Sequence, residues 1–256
     1  MDDLFNLDGT NSLIIGGASG LGFEAAKILY LYGSNVIISS RDSTKLKNSL
    51  NKIKKNSLDN TISYFRADIT KQKNIEELYK YTNKNFEGKL NILINSAGIN
   101  IRDKVTDISI KDWNEVINTN LTGVMFSTQK LIELLKNADY GRIINITSIF
   151  SKVSYPERAS YASSKGGLIQ LTKTLALELS KFNITANSIS PGPMLTDINK
   201  KVLEDKINYK KFCQNIPLGR FGNPEEIATA IMFLASKYSS YVNGSDILID
   251  GGWTST

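Results

Sequence analysis

Short runs of aliphatic and β-branched residues alternate with longer amphipathic segments along this chain, and that alternation constrains its fold more than any other feature. Strands separated by helices pair in parallel, and the helices then cover both faces of the sheet. The runs Ser12–Ile15, Val36–Ser39, Ile62–Phe65, Leu90–Ile94, Arg142–Thr147, Ile184–Ile189 and Ile247–Ile249 read as strands. Between them, Gly20–Tyr32 (closed by Gly33), Ser43–Lys55, Lys71–Phe86, Ile110–Leu135, Ser160–Phe182 and Pro224–Ser236 read as helices. The expected fold class is α/β, a three-layer doubly wound arrangement around a mostly seven-stranded parallel sheet. No repeat, low-complexity tract or linker interrupts the order, so residues 1–256 are expected to form one domain.

Composition excludes several chemistries. There is no histidine, and Cys213 is the single cysteine, so Ser-His-Asp and Cys-His catalysis are ruled out, an internal disulfide is impossible and no metal site is expected. The net charge of +6 comes from lysines dispersed with asparagine and isoleucine, as in Asn48–Asn56, which describes solvated helix faces rather than a nucleic-acid footprint. Met1–Asn6 lacks the charged and apolar regions of a signal peptide, and no apolar stretch approaches membrane-spanning length. A soluble cytoplasmic protein without a nucleic-acid or membrane partner is expected.

Directly after the first strand comes Gly16-Gly17-Ala18-Ser19-Gly20-Leu21-Gly22. Glycines at a strand-to-helix turn let the backbone approach a pyrophosphate held at the helix N-terminus. The adjacent glycines allow the turn to start at Gly16 or at Gly17. No Gly-Lys-Ser/Thr follows, which disfavours a nucleoside-triphosphate loop. At the end of the second strand, a carboxylate would bind the free ribose hydroxyls of NAD, whereas an arginine accommodates the extra phosphate of NADP. Ser40 and Arg41 stand there, so NADP(H) is the expected cofactor, with NAD(H) as the alternative if Asp42 contacts the ribose.

Tyr161 and Lys165 are four residues apart, on one face of the helix that carries them. A neighbouring ammonium favours the phenolate, so the tyrosine is expected to lose its proton more readily than a free phenol of pKa about 10. Ser148 closes the apolar run Arg142–Thr147, 13 residues upstream of Tyr161.

With the glycine turn, Asn95-Ser96-Ala97-Gly98, Asn120, Ser148, Tyr161, Lys165 and Pro191-Gly192 in this order, nearly all of the chain, from Leu7 to Gly252, resembles the short-chain dehydrogenase/reductase family in its compact form. The resemblance implies a Rossmann fold and a catalytic set of Asn120, Ser148, Tyr161 and Lys165. Tyr161 would move the hydroxyl proton, Ser148 would bond the substrate oxygen, Lys165 would hold the nicotinamide ribose, and Asn120 would hold a water of the proton relay. It further implies cofactor contacts from Gly16, Ser19, Gly20, Leu21 and Gly22, from Ser40 and Arg41, and from Asp68 and Ile69 near adenine. Asn95, Ala97 and Gly98 would lie beside the cofactor, and Pro191, Gly192, Met194 and Thr196 would hold the nicotinamide amide. Two positions depart from the family pattern. Ile15 replaces the usual threonine before the first turn glycine, and Ser96 replaces the second asparagine of Asn-Asn-Ala-Gly, which removes side-chain support from the turn.

Substrate identity falls to the loops 99–106 and 149–158 and to a lid at about 194–213. The basic residues Arg102, Lys104, Lys152 and Arg158 in two of these loops suit an anionic small-molecule substrate, although solvated surface is an equal reading in a lysine-rich chain. The stretches Ala97–Arg102, Ser160–Leu168 and Asp250–Thr254 are similar to gluconate 5-dehydrogenases, with 3-oxoacyl carrier-protein reductases close behind. Sugar-acid or polyol oxidation is therefore ranked first and 3-oxoacyl reduction second, while a regulatory protein that binds NADP without turnover stays open. The family implies a homotetramer closed by two long helices and the C-terminal end.

Overall fold

The structure, a computed structural model, describes residues 4–55 and 59–255. Met1–Asp3, residues 56–58 and Thr256, which the expected single domain includes, lie outside the described residues. The chain runs β1 (Asn11–Ile15), α1 (Gly20–Leu31), β2 (Asn35–Ser40), α2 (Ser43–Ile53), β3 (Ile62–Arg66), α3 (Gln72–Asn85) and β4 (Ile92–Asn95). Next come α4 (Ile110–Ile117), α5 (Gly123–Lys136), β5 (Gly141–Ile146), α6 (Ala159–Leu179) and β6 (Ile184–Pro191). Helices α7 (Lys200–Glu204), α8 (Lys206–Gln214) and α9 (Ala228–Ala235) precede β7 (Asp246–Ile249).

Seven strands form one sheet in the order β3-β2-β1-β4-β5-β6-β7, with every neighbouring pair parallel. Period-2 alternation sends successive residues to opposite faces, and here both faces are apolar. Ile14, Ile38, Ile94 and Ile144 pack with α1, α2 and α9, whereas Leu13, Ile37, Leu93 and Ile143 pack with α3, α5 and α6. Each such side chain contributes roughly 1.5–3 kcal/mol on full burial. This is why the strands read as continuous apolar runs in the sequence. The chain leaves β1 toward β2 on one side and returns to β4 on the other. The crevice at this reversal, outside the carboxyl ends of the strands, is where doubly wound sheets bind ligands.

Gly33 has φ +97° directly after the C-cap Tyr32, as its terminating role requires. The expected single helix over 110–135 is instead two helices joined by one π-helical turn, Asn118–Thr122. The cause lies in Asn120, whose fully buried amide reaches across to the loop after β4. Its Oδ1 accepts from Ile99 N at 2.8 Å, and its Nδ2 donates to Ile99 O at 2.9 Å and to Ser164 Oγ at 3.0 Å. Single π-turns are rare and frequently occur inside α-helices at functional sites, where they redirect a side chain without ending the helix. The segment expected as a lid, 194–213, holds α7 and nearly all of α8.

Candidate active site

A cleft of about 490 Å³ opens over the carboxyl ends of the strands. The glycine turn lines it. Gly16 carries φ +91°, and a Cβ there would come within 2.6 Å of the Ser96 carbonyl carbon. Gly16 faces the cleft, whereas Gly17 packs against Ile38, which locates the start of the turn at the first glycine of the pair. Gly22 lies beneath the cleft, where a Cβ would run into Gly16 O, so the helix can approach the turn only with glycine there. Ile15 and Ser96 do not leave the loop unsupported. Gly16 N and Gly17 N both donate to Ser39 O at 2.7 and 3.2 Å, and Ser96 N donates to Ile15 O at 2.8 Å. No side chain caps α1 at Ser19, and its first turn, which includes Gly20 and Leu21, carries no acidic residue. Free N–H groups at such a terminus attract an anion.

Ser40, Arg41 and Lys45 line the adjacent wall. The carboxylate of Asp42 also reaches this wall, yet its Oδ1 is spent capping α2 through Lys45 N at 3.0 Å. Arg66 Nε donates to Arg41 O at 3.0 Å, which adds a second guanidinium to the neighbourhood. Further along, Asp68 and Ile69 line the cleft, with Asp68 Oδ1 accepting from Thr70 N and Thr70 Oγ1 at 3.0 and 2.8 Å. Ala97 and Gly98 form its floor, and Pro191, Gly192, Met194 and Thr196 form the wall from the end of β6.

Ser148, Tyr161 and Lys165 line the same cleft. Ser148 follows β5, while Tyr161 and Lys165 face the same side of α6. Dehydration raises the Tyr161 phenol above its ordinary value, and the hydrogen bond with Ser148 and the positive charge of Arg158 pull it back down. The ammonium of Lys165 is not the group that acidifies this tyrosine in the protein alone. Its Nζ lies 5.8 Å from the centre of the phenol ring and donates to Ile146 O at 2.8 Å. Burial lowers the Lys165 pKa to about 8. The expected acidification is therefore outweighed by desolvation, which disfavours phenolate and ammonium alike.

Three expected site residues, Gly22, Asn95 and Asn120, do not line the cleft. Asn120 is fully buried, but a Cβ on Gly98 would lie 3.4 Å from its Oδ1 and 3.5 Å from Lys165 Nζ, so the two polar groups meet at one glycine. Asn95 ties strands together, donating through Nδ2 to Asn145 Oδ1 at 2.8 Å and to Thr128 Oγ1 at 3.0 Å. The sequence reading did not single out Lys45, Asn100, Phe150 or Phe212, all of which line the cleft. Lys45 is one of many lysines on a charged helix and carries no distinguishing signal. Phe212 reaches the site only because α8 folds over it, and its ring lies 5.2 Å from that of Tyr155.

A family profile described as enoyl-(acyl carrier protein) reductase matches residues 16–254. The chain belongs to the short-chain dehydrogenase/reductase family. This is a family of oxidoreductases acting on CH–OH groups. The 5-keto-D-gluconate 5-reductase of Escherichia coli is 33% identical over 252 residues, covering 98% of both proteins. A 3-oxoacyl-[acyl-carrier-protein] reductase of Rickettsia felis is 36% identical over 97% of this chain and 98% of its own length. Among solved structures, a gluconate 5-dehydrogenase from Burkholderia cenocepacia in complex with NADP and tartrate superimposes with a TM-score of 0.92 at 30% identity, covering 100% of this chain and 99% of the other. Among the described residues, no helix is long and apolar enough to cross a membrane.

Proposed function

We propose that this dehydrogenase/reductase interconverts a secondary alcohol and a ketone on a sugar acid or polyol with NADP(H). One observation carries the reading: a single cleft is lined both by the uncapped N-terminus of α1 with Arg41 and by Ser148, Tyr161 and Lys165. The groups present fit a dinucleotide. Gly16 and Gly22 leave the cradle that a pyrophosphate needs, and Ser40, Arg41 and Lys45 offer a hydroxyl and two cations to a ribose phosphate. NAD(H) is the alternative, since the α2 cap engages only Oδ1 of Asp42. The bound nicotinamide supplies or accepts the hydride. Tyr161 gives its proton to the carbonyl oxygen in reduction and removes the hydroxyl proton in oxidation, a contribution of about 100- to 10,000-fold.

Ser148, whose hydroxyl pulls the phenol's pKa down, orients the same substrate oxygen. Lys165 presents the donors that remain after its bond to Ile146 O to the nicotinamide ribose. Asn120 keeps a second lone pair on Oδ1 for a water beside Lys165. The sugar-acid reading is supported by the reductase of E. coli and by the Burkholderia structure, whose bound tartrate is itself a hydroxy acid. The greater identity of the Rickettsia enzyme supports 3-oxoacyl reduction as the second reading. Exposed Phe126 on α5 and Leu177 on α6, with Tyr241 and Leu248 near the C-terminal end, support a homotetramer, and a cytoplasmic location accompanies this reading.

The test is a spectrophotometric screen of NADP and NAD against aldonates, polyols and 3-oxoacyl thioesters. Turnover of aldonates with NADP is expected. Turnover confined to thioesters would replace the leading reading with the second, and NADP binding without any hydride transfer would identify a regulatory protein.

A further inference from the structure

Among the described residues, two arginines are almost wholly buried, and they differ in how their charge is accommodated. Arg142 is 1% exposed and spends its guanidinium on protein carbonyls, donating from Nε to Ser236 O at 3.1 Å, from Nη1 to Gly141 O at 2.8 Å and from Nη2 to Lys237 O at 3.1 Å. Arg158 is 4% exposed and lines the cleft three residues before Tyr161. Its Nη1 donates to the carbonyl of the preceding residue, Glu157, at 3.1 Å, but its buried Nε has no partner among the described residues. No carboxylate of the described residues lies within ion-pair distance of it. Burying a cation without its counter-charge is costly and is tolerated where a ligand completes the site.

Two further features add positive potential at this position, the N-terminus of α6 and Arg102. Arg158 is the N-cap residue of the 21-residue helix α6, whose dipole presents its positive end there. The half-buried guanidinium of Arg102 is close enough to add to the positive field, and burial together with Arg102 lowers the Arg158 pKa to about 10. The carboxylate of Glu157, directly before it, opposes this field without forming an ion pair with Arg158, and its backbone adopts φ +64°, a left-handed conformation that a residue with a side chain rarely takes. The ring of Phe150 lies 5.9 Å from the guanidinium carbon and fixes its face. In the same cleft, Asn100 Oδ1 is a second buried polar atom without a partner, and it is an acceptor.

We propose that Arg158, assisted by Arg102, is the specificity-determining anchor for a substrate carboxylate, and that Asn100 accepts a hydrogen bond from a hydroxyl of the same molecule. This deepens the proposed function and rests on the cleft being the hydride-transfer site. A guanidinium fork binds a carboxylate in two places and so fixes rotation as well as position. The class selected is a hydroxy acid, held by its carboxylate while the carbinol or carbonyl carbon lies at Tyr161.

Two measurements test it. With NADPH, wild-type kcat/KM is compared on 5-keto-D-gluconate and on the ketohexose carrying a hydroxymethyl group in place of the carboxylate. The anion is expected to be preferred, and Arg158→Gln is expected to reduce that preference ratio by roughly 10- to 100-fold, with Arg158→Lys intermediate. A ratio unchanged in Arg158→Gln would overturn the assignment. Calorimetric binding to the NADPH-loaded protein uses tartrate and its uncharged counterpart threitol, and it needs no turnover. Tartrate is expected to bind wild type and threitol at least about tenfold more weakly, a difference that Arg158→Gln abolishes. Equal binding of the two by wild type would overturn the anchor even if no variant folds. If neither ketone is reduced while tartrate binding still depends on Arg158, the anchor stands and the sugar-acid reading fails.

Discussion

Replacing Lys165 with methionine should stabilise the protein at neutral pH while removing its activity. Burial holds the Lys165 pKa at about 8 against an ordinary 10.5. At about 1.4 kcal/mol per pH unit, keeping the ammonium in the folded state costs about 3 kcal/mol at neutral pH. Methionine fills similar space without the charge, but it forfeits the 2.8 Å bond to Ile146 O, a loss of about 1 kcal/mol. The net expectation is a gain of about 2 kcal/mol for Lys165→Met near pH 7. The sign follows from proton counting. Between pH 8 and 10.5 the unfolded chain binds more protons at this site than the folded one, so wild-type stability rises with pH through that window relative to the variant. Above it the amine is neutral in both states and the advantage of methionine disappears. Urea unfolding of both proteins without cofactor, at about pH 7 and again above pH 10, reads the difference directly. A variant less stable than wild type at neutral pH, or a difference that does not change with pH, would refute the reasoning.

Three further outcomes are expected. Arg41→Ala should weaken NADPH by about 10- to 100-fold in a fluorescence titration and leave NADH within about twofold, since only the former carries the extra phosphate; equal losses would contradict the cofactor assignment. Asn120→Ala removes the bonds to Ile99 N, Ile99 O and Ser164 Oγ, and should cost about 2–4 kcal/mol in denaturant unfolding, with a fall in kcat. Gly16→Val places a branched side chain at φ +91° against the Ser96 and Ala97 backbone, and should abolish detectable NADPH binding, measured by calorimetry.

The fold was legible because apolar periodicity reports burial. Both faces of β1 are covered, so Ser12–Ile15 reads as an apolar run, and helices such as α2 show one apolar stripe. The break at Asn118–Thr122 was not legible, because it depends on where one amide finds partners in the loop at Ile99. That Ser148, Tyr161 and Lys165 would line one cleft was legible from order and spacing, since they sit at one strand end and on one helix face. The state of their protons was not, because desolvation is set by the whole fold and here opposes the attraction within the pair. Arg158 shows the same limit. In the sequence it is one basic residue among many, and only its burial and its empty Nε distinguish it from Lys104 and Lys152, which are exposed.

The most direct test of the account is single-turnover hydride transfer from bound NADPH to 5-keto-D-gluconate, followed in wild type and in Tyr161→Phe. The account predicts NADPH affinity within about twofold in the two proteins and hydride transfer slower by at least about 100-fold in the variant. Transfer at the wild-type rate by Tyr161→Phe would contradict the assignment of the phenol as the proton-transferring group.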